Sequence, residues 1–386
     1  MSLWTPSDSI LHAVETPAFI INENPLLETL SHARRIKAIS GAKVLYALKA
    51  LTHADLMQKM IVGQLDGFAT SSLFESKLAR DVLGKAGSVH LTSPGLRRDE
   101  IGEISELADY ISFNSLSQYH HLKGLMSGNV SAGLRINPML SYVRDKRYDP
   151  CRQESKLGIP LNEPALSHPA LLEGLSGIHI HANCESCSFA PLLEMVQQLR
   201  KKLHPLMKRM RWVNLGGGYY FDDSTDYEPL FQAVNILRSE YGLEIIIEPG
   251  AAFVGESGCI VSSVIDTFTY EGSSFAVLDT TVNHMPEVYE YQYRPTLSQE
   301  TVGGKYRVLL VGGSCLAGDV FGEYFFEQPL TIGSRLVFLD CGAYTHVKAH
   351  MFNGINLPTQ YFLTNEGKLE LKKKYSYQDF LSRCGR

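Results

Sequence analysis

From residue 43 to residue 256 one rhythm repeats: a short apolar run, an amphipathic stretch, then another apolar run. The runs Val44–Leu48, Leu65–Ala69, Val89–Thr92, Tyr110–Phe113, Ala132–Ile136, Gly177–Ala182, Trp212–Leu215 and Leu243–Glu248 predict eight strands. Their apolar character is continuous, as it is for strands buried on both faces. Between them, Leu192, Leu193, Val196, Leu199, Leu203 and Leu206 recur at helical spacing and predict a helix over Phe189–Met207. Ser115–Met126 and Tyr227–Tyr241 carry weaker versions of the pattern, and Pro25–Ile39 predicts a helix ahead of the first strand. Ser72 with Glu75, and Ser117 three residues after Asn114, have the chemistry of helix starts. Strands alternating with helices in this way predict an α/β fold, a closed (β/α)8 barrel of the TIM type. An open doubly wound sheet is the alternative, because the pattern does not show closure.

Near residue 256 the rhythm stops. Gly258–Tyr270, Phe275–Thr280, Tyr306–Val311 and Arg335–Leu339 follow, with Gly- and Pro-containing turns and no long helical pattern. They predict a mostly β C-terminal domain, a sandwich or small barrel, that also takes the N-terminal strand Ala18–Asn22. The expected division is 24–256 for the barrel and 1–23 plus 257–386 for the β domain.

Composition narrows the function classes. The 386 residues carry 36 Lys plus Arg against 41 Asp plus Glu, a net charge of −5, which lacks the basic footprint of a nucleic-acid binder. No apolar run approaches a membrane span, and Met1–Pro6 lacks the basic and apolar regions of a signal peptide. Seven cysteines form neither a disulfide scaffold nor an even set, which points to reduced thiols in a cytoplasm.

In a barrel, reactive groups gather at the C-terminal ends of the strands. Lys49 directly follows the first strand. It is either a desolvated, nucleophilic amine or a lysine reaching solvent at the rim. His179 and His181 lie two apart, on one strand face. With Cys184 and Cys187 they give only a weak zinc signal, and no metal is expected. Gly216-Gly217-Gly218 ends the seventh strand, where barrels often bind phosphate; a tight turn is the plain alternative. Glu248 ends an Ile-rich strand and needs a cation or donor, with Arg135 as a structural salt-bridge alternative. Beyond the barrel, Cys315 and Asp319 sit in a Gly-rich loop, and Cys341-Gly342-Ala343-Tyr344 follows a strand.

Taken in order, Thr16–Phe19, Lys49, His181, the Gly216–Gly218 turn, Glu248-Pro249-Gly250, the Cys315 loop and Gly342-Ala343-Tyr344 resemble the fold-type III pyridoxal-phosphate enzymes. These are the alanine-racemase-like barrels that include ornithine and diaminopimelate decarboxylases. His181–Glu185, Leu215–Tyr219, His284–Val288, Ser314–Asp319 and Met351–Ile355 further resemble the subgroup acting on carboxylated polyamines. By this resemblance pyridoxal 5'-phosphate attaches covalently to Lys49, and His181 stacks on its ring. Gly216, Gly217, Gly218 and Tyr344 hold the phosphate, with Arg135 in the same coenzyme-binding set, and Glu248 pairs with the ring nitrogen. Cys315 is the expected proton donor. Cys315 and Asp319 reach a partner's site in a homodimer. Where ornithine-type relatives carry a phosphate-binding Arg after Glu-Pro-Gly, this chain has Ala251.

A carboxylate at the ring nitrogen favours its protonated form, which suits a decarboxylase over a racemase. Asp319, Glu287, His284 and Asp279 are the expected contacts for a cationic substrate tail. A decarboxylase of diaminopimelate, ornithine or lysine, a non-catalytic coenzyme-binding protein, and a metal-dependent hydrolase using His179 and His181 are the competing readings.

Overall fold

The structure, a computed structural model, describes residues 3–143 and 145–385. The chain divides into two compact units, Leu27–Ala252 and Met1–Leu26 with Phe253–Arg386. The first strand, β1 (Ala18–Asn22), belongs to the second of these.

In the unit Leu27–Ala252 the strands are β2 (Lys43–Ala47), β3 (Gly67–Thr70), β4 (Ser88–Ser93), β5 (Tyr110–Phe113), β6 (Ser131–Asn137), β7 (Ile159–Pro160), β8 (Gly177–His179), β9 (Trp212–Asn214) and β10 (Glu244–Ile247). The pairing runs β5-β4-β3-β2-β10-β9-β8-β6, and a further β5–β6 pairing closes the ring, all parallel. This is the closed eight-stranded barrel; the short β7 adds to β6 outside it. The helix Ala190–Met207 buries Leu192, Val196, Leu199, Leu203 and Leu206 of its predicted stripe, leaves Leu193 partly exposed, and departs from helical geometry at Leu203, two residues before Pro205. The helix after β5 is capped by Ser115, which accepts from Gln118 N–H, and not through Ser117. Ser72 does cap its helix, accepting from Glu75 N–H.

The barrel interior is packed around Trp212, in a cluster with Leu45, Ala47, Ala69 and Ile246. A Cβ on either Gly133 or Gly177 would overlap the Trp212 indole, so these two glycines make the room for it. Its Nε1 donates to Ser131 Oγ at 2.9 Å. Lys43, Glu244 and Tyr110 lie where strands begin. Lys43 Nζ is 2.8 Å from Glu244, and the Tyr110 hydroxyl donates to Glu244 at 2.6 Å.

The other unit adds β11 (Gly258–Tyr270), β12 (Ser273–Leu278), β13 (Tyr306–Val311), β14 (Val320–Phe326), β15 (Arg335–Phe338), β16 (Thr359–Leu363) and β17 (Leu369–Lys373). β1 pairs antiparallel with β11 and parallel with β16, so the N-terminal strand does join this sheet. Alternate residues face one core: Ala18 and Ile20, Cys259 and Val261, Val337 and Leu339, Tyr361 and Leu363. That is the two-residue period of strands, and β1 and β16, buried at every position, are covered on their other face as well.

Candidate active site

Four chain segments bring their strand ends to the C-terminal mouth of the barrel. Lys49 lies in a 3-10 turn, Leu48–Ala50, immediately after β2. His181 follows β8 by two residues, Gly216–Gly218 follow β9, and Glu248 follows β10. The Lys49 side chain keeps accessible surface, yet its amine is enclosed closely enough for desolvation to be the largest influence on it. Burial, and then the Arg135 guanidinium, lower its pKa; Glu248, Cys184 and Glu75 pull the other way without winning. Lys49 is thus solvent-accessible at the strand end, and its lowered pKa leans toward the neutral form in which lysine is nucleophilic.

Burial alone would raise the Glu248 carboxyl, but His179, His90 and the Asn214 amide outweigh it and hold the group at about 2. Glu248 Oε2 lies 3.4 Å from His179 Nε2, and Oε1 accepts from Asn214 Nδ2. Arg135 is buried and acts on Glu248 at longer range, and burial lowers its own pKa. Burial drives the His181 pKa well below its ordinary value, with the Lys49 and Arg135 charges acting the same way. His181 is thus a neutral imidazole, and its Nδ1 accepts the Gly217 N–H at 3.1 Å.

The glycine turn is required by backbone packing. Gly216 and Gly218 have φ of +70° and +89°, and a Cβ on Gly217 would meet the Glu248 carbonyl. Gly216 N–H donates to Asn214 Oδ1 and Gly217 N–H to His181, so the expectation of three inward amides narrows to Gly218. Nδ1 of His179, Nδ2 of Asn183 and Oγ1 of Thr92 are buried without a hydrogen-bond partner, while His179 Nε2 faces Glu248. Such atoms are costly to leave unsatisfied, and their presence at a barrel mouth fits a polar, multi-functional ligand.

The profile described as "Pyridoxal-dependent decarboxylase, pyridoxal binding domain" matches residues 28–255. The chain belongs to the pyridoxal-dependent decarboxylases. It is 36% identical over 383 residues to a carboxynorspermidine/carboxyspermidine decarboxylase of Campylobacter jejuni, covering 95% of this chain and 98% of the relative. It is 34% identical to a carboxyaminopropylagmatine decarboxylase of Synechocystis sp., covering 97% of each. A crystal structure of the carboxynorspermidine decarboxylase of Campylobacter jejuni, complexed with norspermidine, superposes with a TM-score of 0.85 at 33% identity, over 96% of this chain and all of that one.

The coenzyme of a pyridoxal-dependent decarboxylase suits the barrel mouth: an accessible amine of lowered pKa, a flat neutral imidazole and an ionised carboxylate stand together. Two corrections concern the other unit. Asp319 is 3% exposed, and its carboxylate accepts from Thr281 Oγ1, Val282 N–H, Ser314 N–H and Ser314 Oγ. It organises its own loop, and a substrate-facing carboxylate does not fit that geometry. His284 is fully buried, with Nδ1 at 3.0 Å from Thr280 Oγ1 and burial pulling its pKa down to about 3, so it too is withdrawn from ligand contact. Asp279 Oδ1 accepts from Ser262 Oγ and Ser263 N–H, and Glu287 pairs with Lys348 at 3.2 Å; both keep partial exposure. Cys315 is exposed, and its N–H donates to Asn353 Oδ1 at 2.8 Å. Tyr344 is half-buried at a φ of 55°.

Sequence reasoning passed over four residues of the decarboxylase. Glu75 is a helix-start carboxylate that also acts on the Lys49 amine. His90, Ser112 and Asn214 form a buried chain to Glu248. The available signal was a polar residue inside an otherwise apolar strand: His90 between Val89 and Leu91, Ser112 between Ile111 and Phe113.

Proposed function

We propose that this enzyme decarboxylates carboxynorspermidine and carboxyspermidine, giving norspermidine and spermidine. The observation that carries the chemistry is the accessible, desolvated Lys49 amine in a mouth that also holds the Glu248 carboxylate. The substrate class is supported by the likeness of the whole chain to relatives acting on carboxylated polyamines.

In this reading Lys49 would hold the coenzyme covalently, a role that its lowered pKa favours. The coenzyme, when bound, supplies the electron sink for the carbanion left as carbon dioxide departs. Glu248 keeps a negative charge beside the ring nitrogen, where it favours a proton. His181 offers its ring face, Gly218 with Tyr344 binds the phosphate, and the Arg135 cation balances negative charge nearby. Cys315 holds the proton delivered to the substrate carbon, in the site of a second copy of the chain. Asp279 and Glu287 are the acids that meet the cationic tail.

Carbon dioxide release tests the substrate. Carboxynorspermidine or carboxyspermidine should turn over with the highest kcat/KM among a panel adding carboxyaminopropylagmatine, diaminopimelate, ornithine and lysine. A preference for diaminopimelate or ornithine overturns the assignment. Mixing Lys49→Ala and Cys315→Ala chains should recover activity; verified hybrid dimers without recovery would remove the shared site.

A further inference from the structure

Asn214 is wholly buried, and its side chain is committed at both ends. Oδ1 accepts the N–H of Gly216, the first residue of the glycine turn, at 2.8 Å. A backbone N–H can only donate, so this contact fixes which way the amide faces. Nδ2 then carries two hydrogens. One points to Glu248 Oε1 and the other to His90 Nδ1, at 2.9 Å. His90 Nδ1 is therefore the acceptor, its proton sits on Nε2, and that nitrogen donates to Ser112 Oγ at 2.7 Å. The His90 ring is held in plane by Tyr110, stacked at 5.4 Å, and by the edge of Trp212 at 5.0 Å. With no exposed surface, His90 meets no ligand itself; its hydrogen bond toward the cradle runs through Asn214, and its Nδ1 also lies 3.8 Å from Glu248 Oε1.

We propose that Asn214, kept in orientation by His90 and Ser112, is the positioning residue that sets the spacing between the glycine turn and the Glu248 carboxylate. This rests on the reading in which those two groups receive the phosphate and the ring nitrogen of the coenzyme. One planar amide ties both ends of that cradle together. Its orientation depends on an acceptor at position 90. Leucine there leaves a buried Nδ2 hydrogen unpaired. If the amide turns over in response, Oδ1 meets the Glu248 carboxylate, acceptor against acceptor, and the Gly216 N–H loses its partner.

The test is coenzyme affinity, measured by titrating the resolved full-length enzyme with pyridoxal phosphate and following its visible absorbance, alongside thermal melting of the apo form. His90→Leu should weaken binding about tenfold, equivalent to about 1.4 kcal/mol. His90→Gln offers Asn214 an acceptor and Ser112 a donor, and should stay within about threefold of the parent, about 0.7 kcal/mol. Parental affinity in His90→Leu, or equal losses in the Leu and Gln variants, overturns the proposal. Should His90→Leu not fold, Ser112→Ala removes the outer anchor alone and should weaken binding about threefold; unchanged affinity there overturns the proposal as well. Glu248→Gln separates the two levels. Intact affinity in that variant sinks the reading of the cradle itself, whereas a loss there beside parental affinity in His90→Leu sinks only the role of Asn214 and His90.

Discussion

Lys43 opens β2 and Lys49 follows its end, so one short strand carries two lysines in opposite electrostatic situations. Burial lowers the pKa of Lys43, but Glu244 and Tyr110 outweigh it and raise the value, and the amine stays charged within a set of mutually satisfied partners. Lys49 is desolvated too, but among the described residues no carboxylate pairs with it: the Arg135 charge adds to the lowering, and Glu248 and Glu75 do not reverse it. Glu248 is itself turned toward His179 and Asn214. The difference teaches that the beginning of the strand is electrostatically complete and its end is not. A protein leaves charge incomplete where something else must complete it.

The comparison breaks first at Lys49. Lys49→Ala should abolish turnover, checked by carbon dioxide release, while circular dichroism shows a folded chain. Measurable parental turnover would put the nucleophile elsewhere. Glu248→Gln keeps shape and removes charge, and should lower kcat by roughly 100-fold, the scale for removing one preorganised electrostatic partner. Acid unfolding probes the same end of the strand. Burial pulls His90 down to about 4 from its ordinary 6.5, so between those values the unfolded chain binds a proton that the folded chain refuses. Stability therefore falls as pH drops through that window, by roughly 3 kcal/mol from this group. Glu248, held at about 2 against an ordinary 4.5, extends the loss to lower pH. Denaturant titrations of His90→Gln across that range should show a flatter slope than the parent. The smallest effect belongs to the satisfied lysine: Lys43→Met should cost about 1 kcal/mol or less in a chemical melt, because its ion pair is partly solvated, and should leave turnover unchanged.

Strands rich in β-branched and aromatic residues were legible in the sequence. Tyr110–Phe113, Gly258–Tyr270 and Ala18–Asn22 stand where the pattern put them. Closure of the ring was not, because it depends on the β5–β6 pairing, a contact between strands that no single-strand pattern encodes. Val320–Phe326 went unread because Gly322 and Glu323 interrupt its apolar run, and Leu369–Lys373 because its end is lysine. In the site, the C-terminal-end rule for barrels located Lys49, His181 and Glu248. It could not show that Asn214 joins two of those segments, since that follows from the register of β9 against β10. Asp319, in the other unit, was misread for a related reason. A sequence displays the charge of Asp319 but not the donors folded around it, which come from residues 281, 282 and 314.

The most direct test of the central claim is reduction of the purified holoenzyme with borohydride, followed by peptide mapping. The account predicts loss of the visible coenzyme absorbance and a single pyridoxyl label on the peptide containing Lys49. A label on Lys43, or on any lysine outside the barrel mouth, would contradict it.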